Sequence, residues 1–461
     1  MKNMNLTPML KPKSVAIIGA SRNPDKVGHV ILQNYINGGY SGRIYAVNKN
    51  AAEEIMSIKT YSSVLDIKDS IDLAVISIPA PFVPEALEEC GKAKVKTVVV
   101  VSGGFSEIGN DGLQAQLVSI ADKYNMPTLG PNCLGVMDPR SRVDTLFLPT
   151  FKLSRPSIGG VSFVCQSGAV GSTVLDMISG EGFGLSKFVS YGNAAHIDEV
   201  DILEYLMNDP ETKVILMYIE GIKRGTEFIN IAKKITKIKP IVVLKAGRTA
   251  AGTAAAMSHT AALAGNYEAH EALFRQYGFT IAEDISDLIH YAKILSSEPL
   301  PKGGKVAVIT NGGGAGVLVA DAIGVSGHLQ LAELSDKGKL ALKKVMPPLV
   351  NTRIPLDLAG DADEKRYGDA MSILSAEAGI DMFLVIALFQ TPGADSRVAA
   401  KLISFKEKTD KPMIVLSIGA DYTRMHKIMM ESAGLPVYDS PDSAVRSLVE
   451  LLKYSEYISR K

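Results

Sequence analysis

Short apolar, β-branched runs alternate with longer amphipathic stretches from residue 14 almost to the end of the chain. Runs at residues 14–18, 44–47, 73–78, 97–101, 161–165, 214–219, 241–244, 306–310, 383–387 and 413–417 sit between glycines and helical patterns. Runs of that length read as buried parallel strands, and their alternation with helices predicts an α/β protein throughout. Many of the 41 glycines directly follow a strand, at the sheet edge where open α/β folds bind ligands.

The periodicity breaks twice. Residues 138–160 (DPRSRVDTLFLPTFKLSRPSIGG) carry three prolines and no clear period, and residues 296–304 (SSEPLPKGG) read as a linker. Dividing the chain there predicts three domains, 1–150, 151–297 and 298–461. The last two look like copies of one another. GVSFVCQSGAVG at 160–171 aligns with KVAVITNGGGAG at 305–316, an offset of 145. KPIVVLKAG at 239–247 aligns with KPMIVLSIG at 411–419, an offset of 172, whereas Gly278 matches Gly434 at an offset of only 156. The middle domain therefore carries 16 extra residues between those landmarks, in the stretch AAGTAAAMSHTAALAG at 250–265 with its single histidine, His259. Insertions on a shared scaffold are where function tends to sit.

Composition narrows the classes. The 461 residues hold 49 Lys+Arg and 49 Asp+Glu, so no bulk charge calls for nucleic acid or an acidic membrane. Apolar residues make up 46%, yet no run approaches the ~18 needed to span a bilayer. Cys90, Cys133 and Cys165 are too few and too scattered for a disulfide framework or a zinc site, and the first eight residues lack the apolar core of a signal peptide. A cytoplasmic multidomain protein is expected.

Three constellations carry chemistry. The first run leads into Gly19-Ala20-Ser21-Arg22-Asn23-Pro24-Asp25-Lys26-Val27-Gly28, a strand, a glycine loop and a helix start suited to a phosphate. A nicotinamide site would want Gly-x-Gly-x-x-Gly and an acid closing the second strand; the strand ends instead in Asn48-Lys49, which disfavours an oxidoreductase. Lys26, Lys49 and Arg22 favour a more anionic nucleotide such as the 3′-phosphate ADP of coenzyme A, although a structural βα turn with solvated lysines explains the same residues. Ile78-Pro79 and Ser102-Gly103 close two further strands of that sheet and offer a pantetheine route, and Asn132 in Gly130-Pro131-Asn132-Cys133 is either a ligand-contacting amide or a turn residue. In the middle domain, His259 is a candidate nucleophile and Glu220, ending a strongly apolar strand, a candidate to orient its ring; a strand-end salt bridge is the plainer role for Glu220. The third domain has Leu388 or Phe389 at the matching place. Finally, Gln166-Ser167-Gly168 and Asn311-Gly312-Gly313-Gly314-Ala315 are paired strand-to-helix turns; two helix N-termini aimed at one point would hold a phosphoryl group. A serine-hydrolase elbow is not matched around Ser167.

With these residues assembled, the chain resembles the α subunits of ADP-forming acetate–CoA ligases, relatives of succinyl-CoA synthetase. The likeness covers essentially the whole chain and rests on Gly19-Ala20-Ser21 with Lys26-Val27-Gly28, Gly130-Pro131-Asn132-Cys133, Gln166-Ser167-Gly168, Ile219-Glu220-Gly221 and Ser258-His259-Thr260-Ala261-Ala262-Leu263-Ala264-Gly265. The third domain resembles the carboxyl-terminal domain of the succinyl-CoA synthetase β subunit through Asn311-Gly312-Gly313-Gly314-Ala315-Gly316. The resemblance implies an N-terminal Rossmann-like CoA-binding domain followed by two duplicated flavodoxin-like domains. It implies CoA on Gly19, Ala20, Ser21, Lys26, Val27, Gly28, Asn48, Lys49, Ile78, Pro79, Ser102, Gly103 and Asn132, and an acyl phosphate whose phosphoryl group passes to His259 with Glu220 orienting the ring. The sequence departs from relatives at Asn48-Lys49-Asn50, where a proline often follows the asparagine. All 461 residues are used by three other domains, so an ATP-grasp β subunit carrying ADP/ATP and Mg²⁺ is expected as partner, in an α2β2 heterotetramer, with no metal in this chain. The rival reading is a CoA- or nucleotide-binding regulatory protein without turnover.

Overall fold

A computed structural model of the chain describes residues 4–50, 53–254, 267–348 and 350–460. It divides into two compact units, Met1–Gly180 with Gly184–Glu283, and Glu181–Phe183 with Asp284–Lys461.

The first unit contains two sheets. In the first, β1 (Ser14–Ile18) is central, buried at all five positions, and pairs in parallel with β2 (Arg43–Val47) on one side and β5 (Leu73–Ile76) on the other. Beyond β2 lie β4 (Ile58–Tyr61) and the two-residue antiparallel β3 (Glu54–Ile55); beyond β5 lie β6 (Thr97–Val100) and β7 (Thr128–Leu129). Leaving β3 aside, the order is 3-2-1-4-5-6, the Rossmann arrangement with its crevice where the chain reverses direction beside β1. Helices α2 (Val27–Asn37), α3 (Val83–Lys92) and α4 (Asp111–Lys123) make the crossovers.

The second sheet is built from β10 (Ile158–Cys165), β11 (Leu185–Ser190), β12 (Val214–Ile219), β13 (Ile241–Lys245) and β14 (Thr280–Ile281) in the spatial order β14-β13-β12-β10-β11. An antiparallel hairpin, β8 (Gly135–Asp138) and β9 (Val143–Asp144), adds to the β11 edge. Apolar side chains of both sheets, among them Val15, Ile17, Val164, Tyr191 and Ile219, belong to one continuous buried core. That shared core makes a single unit of two sheets.

The second unit contains the third sheet, β15 (Lys305–Thr310), β16 (Gln330–Leu331), β18 (Met382–Ile386), β19 (Met413–Leu416) and β20 (Val437–Tyr438), in the order β16-β15-β18-β19-β20, with β17 (Leu356–Asp357) paired to the end of β15. The helix at Ile285–Ser297 packs on that at Pro441–Ser459 in this unit. Sheets two and three have the same strand order, 2-1-3-4-5, the flavodoxin arrangement. Their registers agree strand by strand. Val161 pairs with Val214 as Val306 pairs with Met382, Leu216 with Val242 as Leu384 with Ile414, and Val243 with Ile281 as Val415 with Val437. The offsets of 145, 172 and 156 read from the sequence are those of the paired strands. Register also settles an open point: the third-strand offset is 168, which places Leu388, not Phe389, opposite Glu220.

Candidate active site

At the carboxyl edge of the first sheet the chain turns sharply at Gly19, whose φ of +98° and surroundings admit only glycine; a Cβ there would lie 2.8 Å from the Ser77 carbonyl oxygen. Gly28, in the first turn of α2, packs on the same turn so closely that a Cβ would lie 2.0 Å from the Gly19 oxygen. The helix begins at Val27 after Lys26 with no side-chain cap, leaving its first N–H groups to solvent or a ligand. Asn48 fixes the neighbouring loop: its Nδ2 donates to the Ala20 carbonyl (2.7 Å) and its Oδ1 accepts from Asn50 N–H (2.9 Å). Between these loops lies a cavity of about 290 Å³ lined by Ile18, Gly19, Asn48, Lys49, Ile78 and Pro79, with Phe82, Glu85 and Glu89 of the β5–α3 region on its far side. The structure thus gathers five of the sequence-proposed CoA residues around one space. Lys49 meets Glu85 at 2.9 Å across it; both are exposed, and the carboxylate raises the ammonium pKa. Ser102 Oγ donates to the Ile78 carbonyl (2.6 Å), tying the two strand ends. Asn132 is exposed, adopts φ +57°, and donates to Asn193 Oδ1 at 3.2 Å.

The tight fit at Gly28 gives a direct test. Gly28→Ala must push the α2 start away from the Gly19 turn and is expected to weaken CoA binding at least about tenfold, or roughly 1.4 kcal/mol. Gly225→Ala, where a Cβ meets nothing within 4 Å, should leave it unchanged. Titration calorimetry with CoA on both variants decides the matter; equal affinities would detach this turn from the ligand.

The second sheet's carboxyl edge carries Gln166, Glu220 and Lys245 on adjacent strands. Gln166 Oε1 accepts from the backbone N–H groups of Glu220 (2.9 Å) and Gly221 (3.1 Å), so this buried amide holds the exit of β12. Ser167 Oγ accepts from Val170 N–H at 3.4 Å, capping the helix at Gly168–Gly180. Glu220 is buried, and the Lys245 ammonium donates to its carbonyl oxygen (2.9 Å) and to that of Ala246 (2.6 Å). Burial lowers the Lys245 pKa and Glu220 works against that shift. Burial, with Glu220 adding, raises the neighbouring Tyr218 hydroxyl. At the start of the helix at Glu199–Asn208, burial and then Asp198 push the Glu199 carboxyl up to about 7. His259 lies outside the described residues.

In the second unit, Asn311 occupies the place of Gln166 and does the same work on the duplicate. Its Oδ1 accepts from Leu388 N–H (2.9 Å) while its Nδ2 donates to the Leu388 carbonyl (3.1 Å) and Thr391 Oγ1 (2.9 Å). Gly312 precedes a helix at Gly313–Ser326 that lacks a side-chain cap, and Ala315 N–H returns to the Gly312 carbonyl (3.0 Å). The Asp357 carboxylate lies against this turn, where a Cβ on Gly313 would be 2.6 Å from its Oδ2. A carboxylate of the chain itself thus stands beside the turn that the sequence offered to phosphate. Among the described residues no cluster of three or more His, Cys, Asp or Glu could hold a metal, and no helix is long and apolar enough to cross a membrane.

Comparison with known proteins matches these edges to families. Residues 13–139 match a CoA-binding domain, and residues 158–295 a succinyl-CoA ligase-like flavodoxin domain. Subunit alpha of ADP-forming acetate–CoA ligase I from Pyrococcus furiosus is 41% identical over 463 residues, covering 98% of each chain. The chain belongs to the family of ADP-forming acetate–CoA ligase α subunits. An ADP-forming acetate–CoA ligase of Methanocaldococcus jannaschii is also 41% identical, but this chain spans only 62% of its length. Among solved structures, the dinucleotide-forming acetyl-coenzyme A synthetase 1 of Ca. Korarchaeum cryptofilum, in complex with phosphate and ADP, superposes with a TM-score of 0.92 at 34% identity, covering 100% of this chain and 98% of that one.

Within this family member, the sequence reading did not reach Lys245, Glu199, Lys223, Glu107 or Asn193. Lys245 had a signal, being a cation that ends an apolar strand beside the one carrying Glu220. Lys223 and Asn193 lie in loops, Glu107 in a single 3₁₀ turn and Glu199 at a helix start, none with motif character.

Proposed function

We propose that this chain is the CoA-binding, phosphohistidine-carrying subunit of an ADP-forming acid–CoA ligase. It interconverts acyl-CoA, ADP and phosphate with the carboxylic acid, CoA and ATP. The observation that carries the reading is that two sheet edges, one with the cavity at Gly19 and Asn48 and one with Glu220, belong to one compact unit and meet at Asn132 and Asn193. The full-length likeness to ADP-forming ligase subunits supports it.

In this scheme CoA occupies the first domain, residues 1–150, with its nucleotide end at Gly19–Gly28 and Asn48–Lys49. Its pantetheine runs past Ile78–Pro79 and Ser102–Gly103 toward Asn132. Phosphate sits at the Gln166–Gly168 turn, where helix N–H groups favour an anion. A phosphate oxygen attacks the thioester carbonyl, the C–S bond breaks and CoA leaves as thiolate, giving acyl phosphate. His259 then attacks phosphorus, the carboxylate leaves, and phospho-His259 passes its phosphoryl group to ADP. Glu220 orients the ring and balances the positive charge of the imidazolium. Nucleotide and Mg²⁺ belong to an ATP-grasp partner subunit in a cytoplasmic α2β2 assembly. The greater length of the M. jannaschii relative fits a partner fused to such a chain.

The test is incubation of the chain and its partner subunit with γ-labelled ATP and Mg²⁺, followed by mapping of the label. An acid-labile, base-stable phosphoryl group on His259 is the expected result. No label, with CoA still bound, would turn the reading to a CoA-binding regulatory protein.

A further inference from the structure

Acyl transfer from CoA to phosphate needs the thioester and the phosphate brought to about 3–3.5 Å in a fixed orientation. The proposed sites for the two come from different sheets, so some element must hold one sheet edge against the other. The loop after β11 is that element. It runs along the end of the first sheet: Asn193 N–H donates to the Pro131 carbonyl (3.1 Å), Ala195 N–H to that of Gly130 (3.1 Å) and Ile197 N–H to that of Thr128 (3.2 Å). At Gly192 the approach is so close that a Cβ would sit 2.2 Å from the Asn132 carbonyl oxygen.

Asn193 is the hub of this seam. Its Nδ2 donates to Glu107 Oε2 (2.6 Å) and Gln114 Oε1 (3.0 Å) and reaches Ser106 Oγ at 3.3 Å. Its Oδ1 accepts from Asn132 Nδ2 (3.2 Å). The Glu107 carboxylate in turn accepts from the backbone N–H groups of Gly104 and Phe105, so it clamps the loop behind Gly103. Burial raises the Glu107 carboxyl, but the Gly104 N–H and the Asn193 amide outweigh it and hold the group in its charged form. On the other side, Lys223 Nζ donates to the carbonyl oxygens of Asn193 (2.9 Å) and Ala194 (3.0 Å), and Lys223 closes the loop that begins at Glu220. One residue thus connects the Gly103 loop of the first sheet, the exposed amide of Asn132 and the Glu220 loop of the second.

We infer that Asn193 is a positioning residue for the CoA-dependent half-reaction, fixing the Gly103–Asn132 rim against the Glu220 loop through Glu107 and Lys223. This rests on the function proposed above. In the proposed scheme the phosphorylation of the chain by ATP does not pass through the CoA-binding sheet, so it does not depend on this hub.

The experiment compares two routes to the phosphorylated chain in the presence of its partner: labelled phosphate with acyl-CoA, and γ-labelled ATP. In Asn193→Ala the first should slow by about 10²-fold, the effect of misplacing reacting groups by an ångström. Labelling from ATP should change by less than about threefold, under about 1 kcal/mol. Equal loss of both routes, or no loss of either, would overturn the inference. If Asn193→Ala does not fold, Lys223→Met, which removes the clamp on the two carbonyls, must show the same split. Failure of the wild-type chain to label from either source would instead sink the proposed function and leave the hub a structural seam.

Discussion

Replacing His259 by alanine should abolish phosphate-dependent conversion of ADP to ATP while CoA binding stays within about twofold, because a missing nucleophile removes a covalent step and not a binding surface. Glu220→Gln is the more discriminating change. It preserves shape, and the contacts of Gln166 and Lys245 at this position are to the Glu220 backbone, so the strand exit should survive and the melting temperature should barely move. What is lost is the negative charge that, in the proposed mechanism, fixes the imidazole and stabilises its positive form. By analogy with carboxylate–histidine pairs elsewhere, the phosphohistidine-dependent rate is expected to fall by roughly 10²–10⁴-fold. Rapid-quench measurement of labelled His259 gives the answer. A normal phosphorylation rate in Glu220→Gln would reassign the carboxylate to structure, and turnover in His259→Ala would remove the mechanism altogether.

The contrast between Glu220 and Leu388 shows what could be read from the chain and what could not. The apolar strands were legible because burial on both faces demands near-continuous β-branched runs. The duplication was legible because its glycine turns and Lys-Pro strand starts recur. Pairing register was needed to choose Leu388 over its neighbour, since a one-residue slip leaves the apolar pattern of so short a run almost unchanged. Strands of another kind escaped: β4 is Ile-Lys-Thr-Tyr and half exposed, β8 and β9 form a short hairpin in a proline-rich stretch, and β11 carries a buried lysine. Gln166 and Asn311 were identified as turn residues, and the structure gives them a shared second duty, bracing the third strand of their own sheet. The Asn193 hub had no sequence signal. Its side-chain partners lie 61 to 87 residues away, and polar loop residues acquire a role only when two cores fuse.

The buried lysine of β11 carries the largest expected effect on stability. Lys187 is fully buried, and its ammonium reaches Glu211 (2.5 Å), Asp138 (3.3 Å) and Asp209 (3.4 Å). Burial alone would lower its pKa, but Glu211, Asp138 and Asp209 outweigh that and raise it. Asp138 ends β8 and Asp209 follows the helix at Glu199–Asn208, so one cation ties the edge hairpin and a crossover helix to the second sheet. Lys187→Met leaves buried carboxylates without their cation and should cost about 3–5 kcal/mol. At 2–4 °C per kcal/mol for a body of this size, the first unit's transition should fall by about 10 °C. Adding Asp138→Asn and Asp209→Asn to Lys187→Met should recover most of the loss, because the penalty comes from uncompensated charge and not from the missing contacts. The acid limb provides a second readout. Burial raises the Glu211 carboxyl, yet Lys187 and Lys11 overcome this and bring it down to about 2. With the folded value below the unfolded one of about 4.3, this stabilisation is complete above that pH and disappears as pH falls through about 2. Wild type should therefore lose stability over that window more steeply than Lys187→Met. Calorimetry across pH 2–7 tests both statements. A shift below about 2 °C in Lys187→Met, or parallel acid limbs, would mean that the cluster is solvated and contributes little.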